Sequence, residues 1–205
     1  MATKERIPKE ILKDPKLRRL VAEHGPIDAG AWGKRKKSFE SLVRAIVHQQ
    51  VSGKAAASIL KKFVSLFDSR FPSPNDVLEA SVEKLRSAGL SRGKAEYVKD
   101  LAKKFTDGTL NPRRFSRMSN EELIEHLTKV KGVGVWTAQM FLIFTLKRPD
   151  ILPTLDLGIR KGFQIAYGLK RLPEHEEMER LARAWRKHAS LGSLYLWRAA
   201  DTKKK

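Results

Sequence analysis

Two features of this sequence could carry chemistry, and the first is a glycine hairpin. It consists of Val130-Lys131-Gly132-Val133-Gly134, follows a helical stretch and leads into an apolar helix. Glycines at i and i+2 allow a tight turn and a positive φ. They also leave amides uncovered at the start of the next helix, where the helix dipole attracts phosphate. The pattern indicates a grip on a nucleic-acid backbone, with a plain helix–helix turn as the alternative.

The second feature is a lone carboxylate, Asp156, which follows the turn Pro153-Thr154-Leu155 and opens another helix. A fixed carboxylate can stabilise a positive charge that develops during a reaction, or orient an attacking water. A helix N-terminus also favours a negative charge. The residues alone leave two interpretations open, because aspartate is equally common as a simple N-cap.

The charge balance indicates a polyanionic partner. Lysine and arginine number 42 against 23 acids, giving a net charge of +19 and a pI near 10.3. The cations are spread along the chain, which favours nucleic acid. A membrane surface is the competing partner, but the sequence has no basic amphipathic segment, lipidation motif or apolar run long enough to span a bilayer. We expect an intracellular protein located with DNA, in a bacterial cytoplasm or nucleoid or a eukaryotic nucleus.

Cysteine is absent, which excludes disulfides, thiol catalysis and iron–sulfur clusters. No two of the five histidines lie three or four residues apart, so a helical zinc site is not expected either.

The elements that must position these residues are predicted to be all α-helical. Asp14-Pro15 and Ser38 begin helices, another starts near Gly53, and Ser119 with Glu122 forms a capping box before the hairpin. Three further helices are expected from Asp156 to about Leu169, from Pro173 through Trp185, and from Ser190 to Asp201. No alternating apolar run bounded by turns indicates a strand.

Four motifs occur together in this chain: FESLVRAIVHQQVSGKAA, GLSRGKAEYVKDLA, KGVGVWTAQ and PTLDLGIRKG. With them the sequence resembles the helix-hairpin-helix (HhH-GPD) DNA glycosylase superfamily over residues 38–200. Within it the sequence is most similar to the 3-methyladenine DNA glycosylase II branch, in a compact form without the N-terminal β domain. The resemblance implies one glycosylase unit over residues 1–205 with two helical lobes and a DNA cleft between them. The middle lobe would span about residues 39–145, and residues 1–38 with 146–205 would form the second lobe.

The resemblance also implies roles for individual residues. Asp156 matches the catalytic aspartate, and the hairpin carbonyls of Thr128, Val130 and Val133 match those that hold a structural Na⁺ or K⁺. No other cofactor is expected. The amides of Val133, Val135 and Trp136 would hold a phosphate. The residues assigned to the substrate pocket are Trp136, Met140, Phe39 and His188. Those assigned to DNA contact are Gly132, Val133, Gly134, Val135, Thr137, His48, Gln49, Gln50, Ser52, Arg92 and Lys94.

Three of these assignments have simpler alternatives. Trp136 stands where related enzymes that also nick the strand have a Schiff-base lysine, so a monofunctional enzyme is expected; a core tryptophan is the alternative. His48-Gln49-Gln50 matches the wedge that fills the gap left by a flipped base, but it could be a solvated helix end. Arg92 and Lys94, after Ser91, are more simply explained as solvated cations behind an N-cap.

The predicted function is therefore a monomeric, monofunctional glycosylase that removes alkylated purines such as 3-methyladenine and 7-methylguanine from double-stranded DNA by base flipping. The sequence departs from the family pattern at Gln50, Met140 and His188, where apolar or aromatic residues are common. Two alternatives follow from these departures. One is a non-catalytic DNA-binding protein on the same scaffold, and the other is a glycosylase for ethenoadenine, hypoxanthine or deaminated bases.

Overall fold

The computed structural model describes residues 7–27 and 37–202, and these residues form helices and turns without a β-strand. The all-α prediction is confirmed. None of the helices in these ranges has the length and apolar character needed to cross a membrane. Trp32, most of the basic run Lys34 to Lys37, and the terminal lysines 203–205 lie outside the described residues.

The chain divides into two compact units. Arg35–Phe141 forms the middle unit, and Met1–Lys34 together with Leu142–Lys205 forms the end unit. The second boundary falls where an α-helix that ends at Phe141 passes into the π-helical segment Leu142–Leu146. The sequence had suggested boundaries near residues 39 and 145.

The middle unit consists of seven α-helices and a 3₁₀ turn within its described residues: α3 Ser38–His48, α4 Gly53–Ser65, α5 Pro74–Glu79, α6 Val82–Ser87, α7 Arg92–Thr106, the 3₁₀ turn Phe115–Arg117, α8 Asn120–Thr128 and α9 Val135–Phe141. Each helix from α4 to α8 is preceded by a serine whose hydroxyl accepts a hydrogen bond from a backbone amide of the first turn. Helix α3 differs from the prediction, because Ser38 is its first residue and Lys37 precedes it without a side-chain cap.

Helices α3 and α7 form the centre of the middle unit. Helix α3 packs against α7, α4 and α9, and its apolar stripe is buried. The facing residues of α7 are equally buried: Ala95, Val98, Leu101 and Ala102. This arrangement places the end of α3, the start of α7 and the hairpin between α8 and α9 in one unit.

The described part of the end unit contains α1 Lys9–Lys13, α2 Pro15–His24, the π-helical segment, α10 Leu157–Tyr167, α11 His175–Ala182, the 3₁₀ segment Arg183–His188 and α12 Ala189–Thr202. Asp14 caps α2 as predicted, and its carboxylate also accepts hydrogen bonds from Tyr167 at 2.7 Å and Trp185 at 3.3 Å. Burial and the neighbouring Asp14 raise the pKa of Tyr167 far above its usual range. The N-terminal helices are thus joined to the C-terminal part of the chain.

Two helix ends differ from the prediction. Helix α10 ends at Tyr167 because Gly168 takes the left-handed conformation, with φ 67°. The helix predicted from Pro173 through Trp185 is divided into α11 and the 3₁₀ segment. Trp185 has a non-helical φ of −123°, and its fully buried ring stacks on Phe163. Burying this indole therefore stabilises the fold more than a continuous helix through Trp185 would.

Helices α10 and α12 approach each other very closely at Gly162. A Cβ atom added there would lie 2.4 Å from the carbonyl oxygen of Leu196 in α12. Both helices contribute to the core of the end unit, with Ile159, Phe163, Leu196 and Ala199 among its buried residues. A glycine at this position therefore sets the distance between the two helices.

We expect Gly162→Ala to lower the free energy of unfolding by about 1–3 kcal/mol, because the new methyl group meets backbone that cannot move aside. Urea unfolding followed by circular dichroism measures the loss. Gly53→Ala is the matched control, since a Cβ at this first residue of α4 meets open space. That variant should be neutral or more stable by up to about 1 kcal/mol. Equal losses in the two variants would contradict the packing argument.

Candidate functional site

Asp156 lies at the N-terminus of α10 with its carboxylate partly exposed. Its Oδ1 atom accepts a hydrogen bond from the Ile159 amide at 2.8 Å, the N-cap geometry, and a second from Nε1 of Trp197 at 2.8 Å. The capping alternative is therefore correct as a description of local structure. The same two donors also fix the direction of the carboxylate, which is what a catalytic role requires.

Trp197, on α12, is the residue near Asp156 that the sequence interpretation missed. Its indole is half-buried and stacks on Phe144, with ring centroids 5.9 Å apart. A Cβ atom added at Gly158 would lie 2.9 Å from both Oδ1 of Asp156 and Cδ1 of Trp197. Gly158 and Gly162 are separated by one helical turn and lie on the same face of α10. That spacing was the available sequence signal that another helix approaches this face.

The loop that carries Asp156 is held at its base by Ser190, which is fully buried. The Ser190 hydroxyl donates to the Arg148 carbonyl at 2.6 Å and accepts from the Ile151 amide at 3.1 Å. Further along, Oγ1 of Thr154 lies 2.8 Å from Nδ1 of His175. The Asp156 amide itself donates to the Pro153 carbonyl at 3.0 Å. The loop is therefore a rigid support for the carboxylate.

Apolar side chains on the surface flank Asp156 within the end unit. Leu155 is 70% exposed and Leu157 is 53% exposed. Phe144, which stacks on Trp197, is 41% exposed. A polar carboxylate among exposed apolar groups can bind a ligand that combines a charged centre with an apolar ring.

In the hairpin of the middle unit, only one of the two glycines has a positive φ. Gly132 has φ 78°, and a Cβ atom there would lie 2.1 Å from the ring of Tyr97. Gly134 has no positive φ and faces open space. The positive φ expected for the glycine pair is therefore found at Gly132, which permits the turn and the packing of Tyr97, whereas Gly134 leaves a bare surface beside α9.

The amides of the hairpin also differ in part from the prediction. The Val133 amide donates to the Val130 carbonyl at 3.0 Å, which closes the turn. It is thus removed from the predicted set of phosphate donors, because its hydrogen already has an acceptor. Val135 and Trp136 lie in the first turn of α9, at the helix N-terminus. They remain the predicted donors.

Helix α7 contacts the hairpin through the carboxylate of Asp100. The Lys131 amide donates to the Asp100 carboxylate at 2.9 Å, and Lys104 contacts both carboxylate oxygens at 2.7 and 2.8 Å. Burial opposes the ionisation of Asp100, but these hydrogen bonds outweigh it, so the pKa of Asp100 lies below its usual range. An ionised carboxylate therefore anchors the hairpin backbone to α7.

The turn after α3 also lies beside the hairpin. Gln49 donates from Nε2 to the Gly132 carbonyl at 2.8 Å. The ammonium group of Lys94 is part-buried and donates to the carbonyls of Val47 and Gln49. Gln50 is exposed and has a φ of 55°. His48 is exposed, and its Nδ1 lies 2.8 Å from the Arg44 carbonyl.

The other residues predicted to contact DNA or the base differ in how far their side chains are exposed. Trp136 is 46% exposed, so the alternative of a core tryptophan is wrong. Arg92 is exposed and pairs with Glu96, Ser52 is exposed and caps α4, and the side chain of Thr137 is buried.

The remaining pocket candidates lie in different surroundings. Phe39 is 6% exposed and packs edge-on against Phe105 in the core, and Met140 is half-buried. In the end unit, Nε2 of His188 lies 3.5 Å from a Glu10 carboxylate oxygen. The assignment of these three residues to a substrate pocket stays a prediction.

Comparison with known proteins identifies the class. The family model of HhH-GPD superfamily base excision DNA repair proteins matches residues 43–187. The chain belongs to this superfamily, and the resemblance stated from the motifs is confirmed.

Particular relatives are similar over most of the chain. DNA-3-methyladenine glycosylase 1 of Schizosaccharomyces pombe is 34% identical over 198 residues, which cover 91% of this chain and 83% of the relative. The structure of the S. pombe 3-methyladenine DNA glycosylase Mag1 in complex with abasic DNA matches with a TM-score of 0.79 at 32% identity, covering 93% of this chain and 96% of that one. A DNA-3-methyladenine glycosidase from Bacillus halodurans also matches, with a TM-score of 0.79 at 30% identity and 94% and 92% coverage.

We expect Gly132→Ala to lower the free energy of unfolding by about 1–3 kcal/mol, because alanine is strained at this φ and its methyl group overlaps the Tyr97 ring. Gly134→Ala, two residues away, should change it by less than about 0.5 kcal/mol. Urea unfolding of both variants checks the difference. A Gly134→Ala variant that is as unstable as Gly132→Ala would show that the two glycines are equivalent.

Proposed function

We propose that this protein is a monofunctional DNA glycosylase of base excision repair, which hydrolyses the N-glycosidic bond of alkylated purines such as 3-methyladenine and 7-methylguanine after base flipping. The observation that carries the proposal is the Asp156 carboxylate, partly exposed and held by the Ile159 amide and the Trp197 indole. The family and the names of the similar proteins support the reaction.

The reaction requires little acid catalysis, because an alkylated purine carries positive charge and leaves readily. Water adds to C1′ of the sugar as the C1′–N bond breaks, and the bond electrons neutralise the departing base. Asp156 stabilises the positive charge that develops on the sugar and takes the proton of the attacking water. A carboxylate whose position is fixed before the reaction has no reorganisation to undergo at the transition state.

The absence of an amine at position 136 supports hydrolysis without strand cleavage. A glycosylase that also cleaves the strand needs an amine that forms a Schiff base, whereas here the residue is tryptophan. The exposed indole of Trp136 instead offers an aromatic face on which a cationic purine can stack.

Double-stranded DNA is the proposed partner, bound by the monomer. The net charge of +19 supports an electrostatic footprint on the phosphate backbone. The amides of Val135 and Trp136, beside the uncovered surface at Gly134, would hold a phosphate near the lesion. Gln50, exposed with its strained φ, would enter the gap left by the flipped base.

A monovalent cation is proposed at the hairpin, held by the carbonyls of Thr128, Val130 and Val133. Thr128 ends α8, so its carbonyl has no acceptor role within the helix. The Val130 carbonyl accepts one hydrogen bond, from Val133, and keeps a second lone pair. Three neutral oxygens suit a hard cation of low charge, and such an ion would hold the turn in shape.

Asp156→Asn tests the reaction. The amide cannot stabilise a cationic sugar or accept a proton, so release of 3-methyladenine and 7-methylguanine from methylated duplex DNA should fall by about 100-fold or more, while DNA binding persists. Free bases are measured by chromatography. If the wild type releases only ethenoadenine or hypoxanthine, from duplexes that contain those bases, its substrate class differs from the proposed one. DNA binding without any base release would favour a non-catalytic binding protein, and a borohydride-trapped adduct would contradict monofunctionality.

Trp197→Phe tests the support of Asp156. This substitution removes the indole donor and keeps an aromatic ring against Phe144, so kcat should fall about 10- to 100-fold with a small change in KM. Single-turnover base release measures it. Tyr195→Phe, two residues earlier on α12, is the matched control. It removes a hydroxyl that contacts Gly25 and Ile27 rather than the carboxylate. Unchanged kcat in Trp197→Phe would show that the hydrogen bond does not contribute.

A further inference from the structure

The turn after α3, residues 49–52, is attached to the glycine hairpin by the side chain of Gln49. Gln49 is half-buried, and its amide nitrogen donates to the Gly132 carbonyl at 2.8 Å. Gly132 is the hairpin residue with a positive φ, and the ring of Tyr97 fills the space beneath it. The bond therefore joins the turn to the most constrained point of the hairpin.

Lys94 holds the same turn from α7. Its ammonium group donates to the Val47 carbonyl at 2.8 Å and to the Gln49 carbonyl at 2.6 Å. These carbonyls lie at the C-terminal end of α3, where the helix leaves acceptors without intrahelical partners and the helix dipole favours a cation. Burial lowers the pKa of Lys94. Arg92, two residues earlier, has a side chain that is 79% exposed.

Gln50 stands between these two attachments. Its φ of 55° lies in the left-handed region, which is strained for a residue other than glycine, and its side chain is exposed. The neighbouring carbonyl of Gln49 is fixed by Lys94 and the neighbouring side chain by Gly132. The surrounding contacts thus determine the direction in which Gln50 projects.

We propose that Gln49 and Lys94 are positioning residues, which set the spacing between the Gln50 side chain and the phosphate-binding hairpin rather than contacting DNA themselves. This inference rests on the proposed function, because it assumes that Gln50 enters the duplex while the hairpin holds the backbone. It replaces the prediction from sequence that Gln49 and Lys94 touch DNA.

The test uses the full chain and a duplex with a tetrahydrofuran abasic-site analogue opposite 2-aminopurine. Anisotropy gives the affinity between about 50 and 200 mM salt, and 2-aminopurine fluorescence reports insertion into the gap. A cation that neutralises a phosphate contributes about one to the slope of log affinity against log salt. Lys94→Met should keep the wild-type slope, weaken binding about tenfold at every salt concentration and reduce the fluorescence change.

Three further variants complete the design. Gln49→Ala should reproduce the effects of Lys94→Met, and the double variant should be no worse than either single one, because both act through the same turn. Lys94→Arg, which keeps a donor able to reach both carbonyls, should restore most of the fluorescence change. Lys103→Met, at the other end of α7, removes an equal charge from an exposed site and should leave the fluorescence change intact.

The possible outcomes distinguish a failure of this inference from a failure of the proposed function on which it rests. A slope lower by about one in Lys94→Met would identify a phosphate contact and overturn the inference. Additive losses in the double variant, or an unchanged fluorescence signal in all variants, would overturn it as well. If Lys94→Met does not fold, the comparison of Gln49→Ala with Lys94→Arg decides. A wild type that fails to bind the duplex would instead remove the proposed function and the inference with it.

Discussion

The close approach of α10 and α12 is the constraint on which the candidate active site depends. Gly162 lets the backbone of α12 come within contact of α10. One turn earlier, Gly158 leaves room for the Trp197 indole to reach the Asp156 carboxylate. A methyl group at either position would separate the helices or the donor and acceptor. The orientation of one carboxylate is therefore a consequence of helix packing, and α10 supplies both the cap position and the face that accepts the tryptophan.

A glycine also allows a close approach at the hairpin of the middle unit. At Gly132 a missing side chain allows a positive φ and gives space to the Tyr97 ring, while its carbonyl accepts the Gln49 amide. Asp100 holds the next amide along the chain, that of Lys131. The side chains of Gln49 and Asp100 thus bind main-chain atoms of the hairpin, so the turn after α3 and helix α7 are both attached to its backbone. A rigid surface suits the proposed binding of a phosphate backbone, because little conformational freedom would be lost on binding.

The charges of the protein and of an alkylated purine explain why the proposed reaction needs few catalytic residues. The excess of cations favours binding to a phosphate backbone, which needs no base-specific contacts. An alkylated purine is already a good leaving group, so one fixed carboxylate and an aromatic face are sufficient for the proposed reaction. The indole of Trp136 is exposed, as a proposed stacking surface must be, because a tryptophan buried in the core could not contact a base.

The sequence by itself determined the all-α class, the capping box of Ser119 and Glu122, the hairpin and the position of Asp156 at a helix start, because each depends on local backbone preferences within a few residues. It also determined the family, since the four motifs are short and contiguous. Only the tertiary structure decided that Trp197 holds Asp156, that Lys94 faces helix carbonyls, and that Trp185 interrupts a helix. These contacts join residues distant in the chain, and their energies depend on burial and on the distance between helices, which no local pattern records.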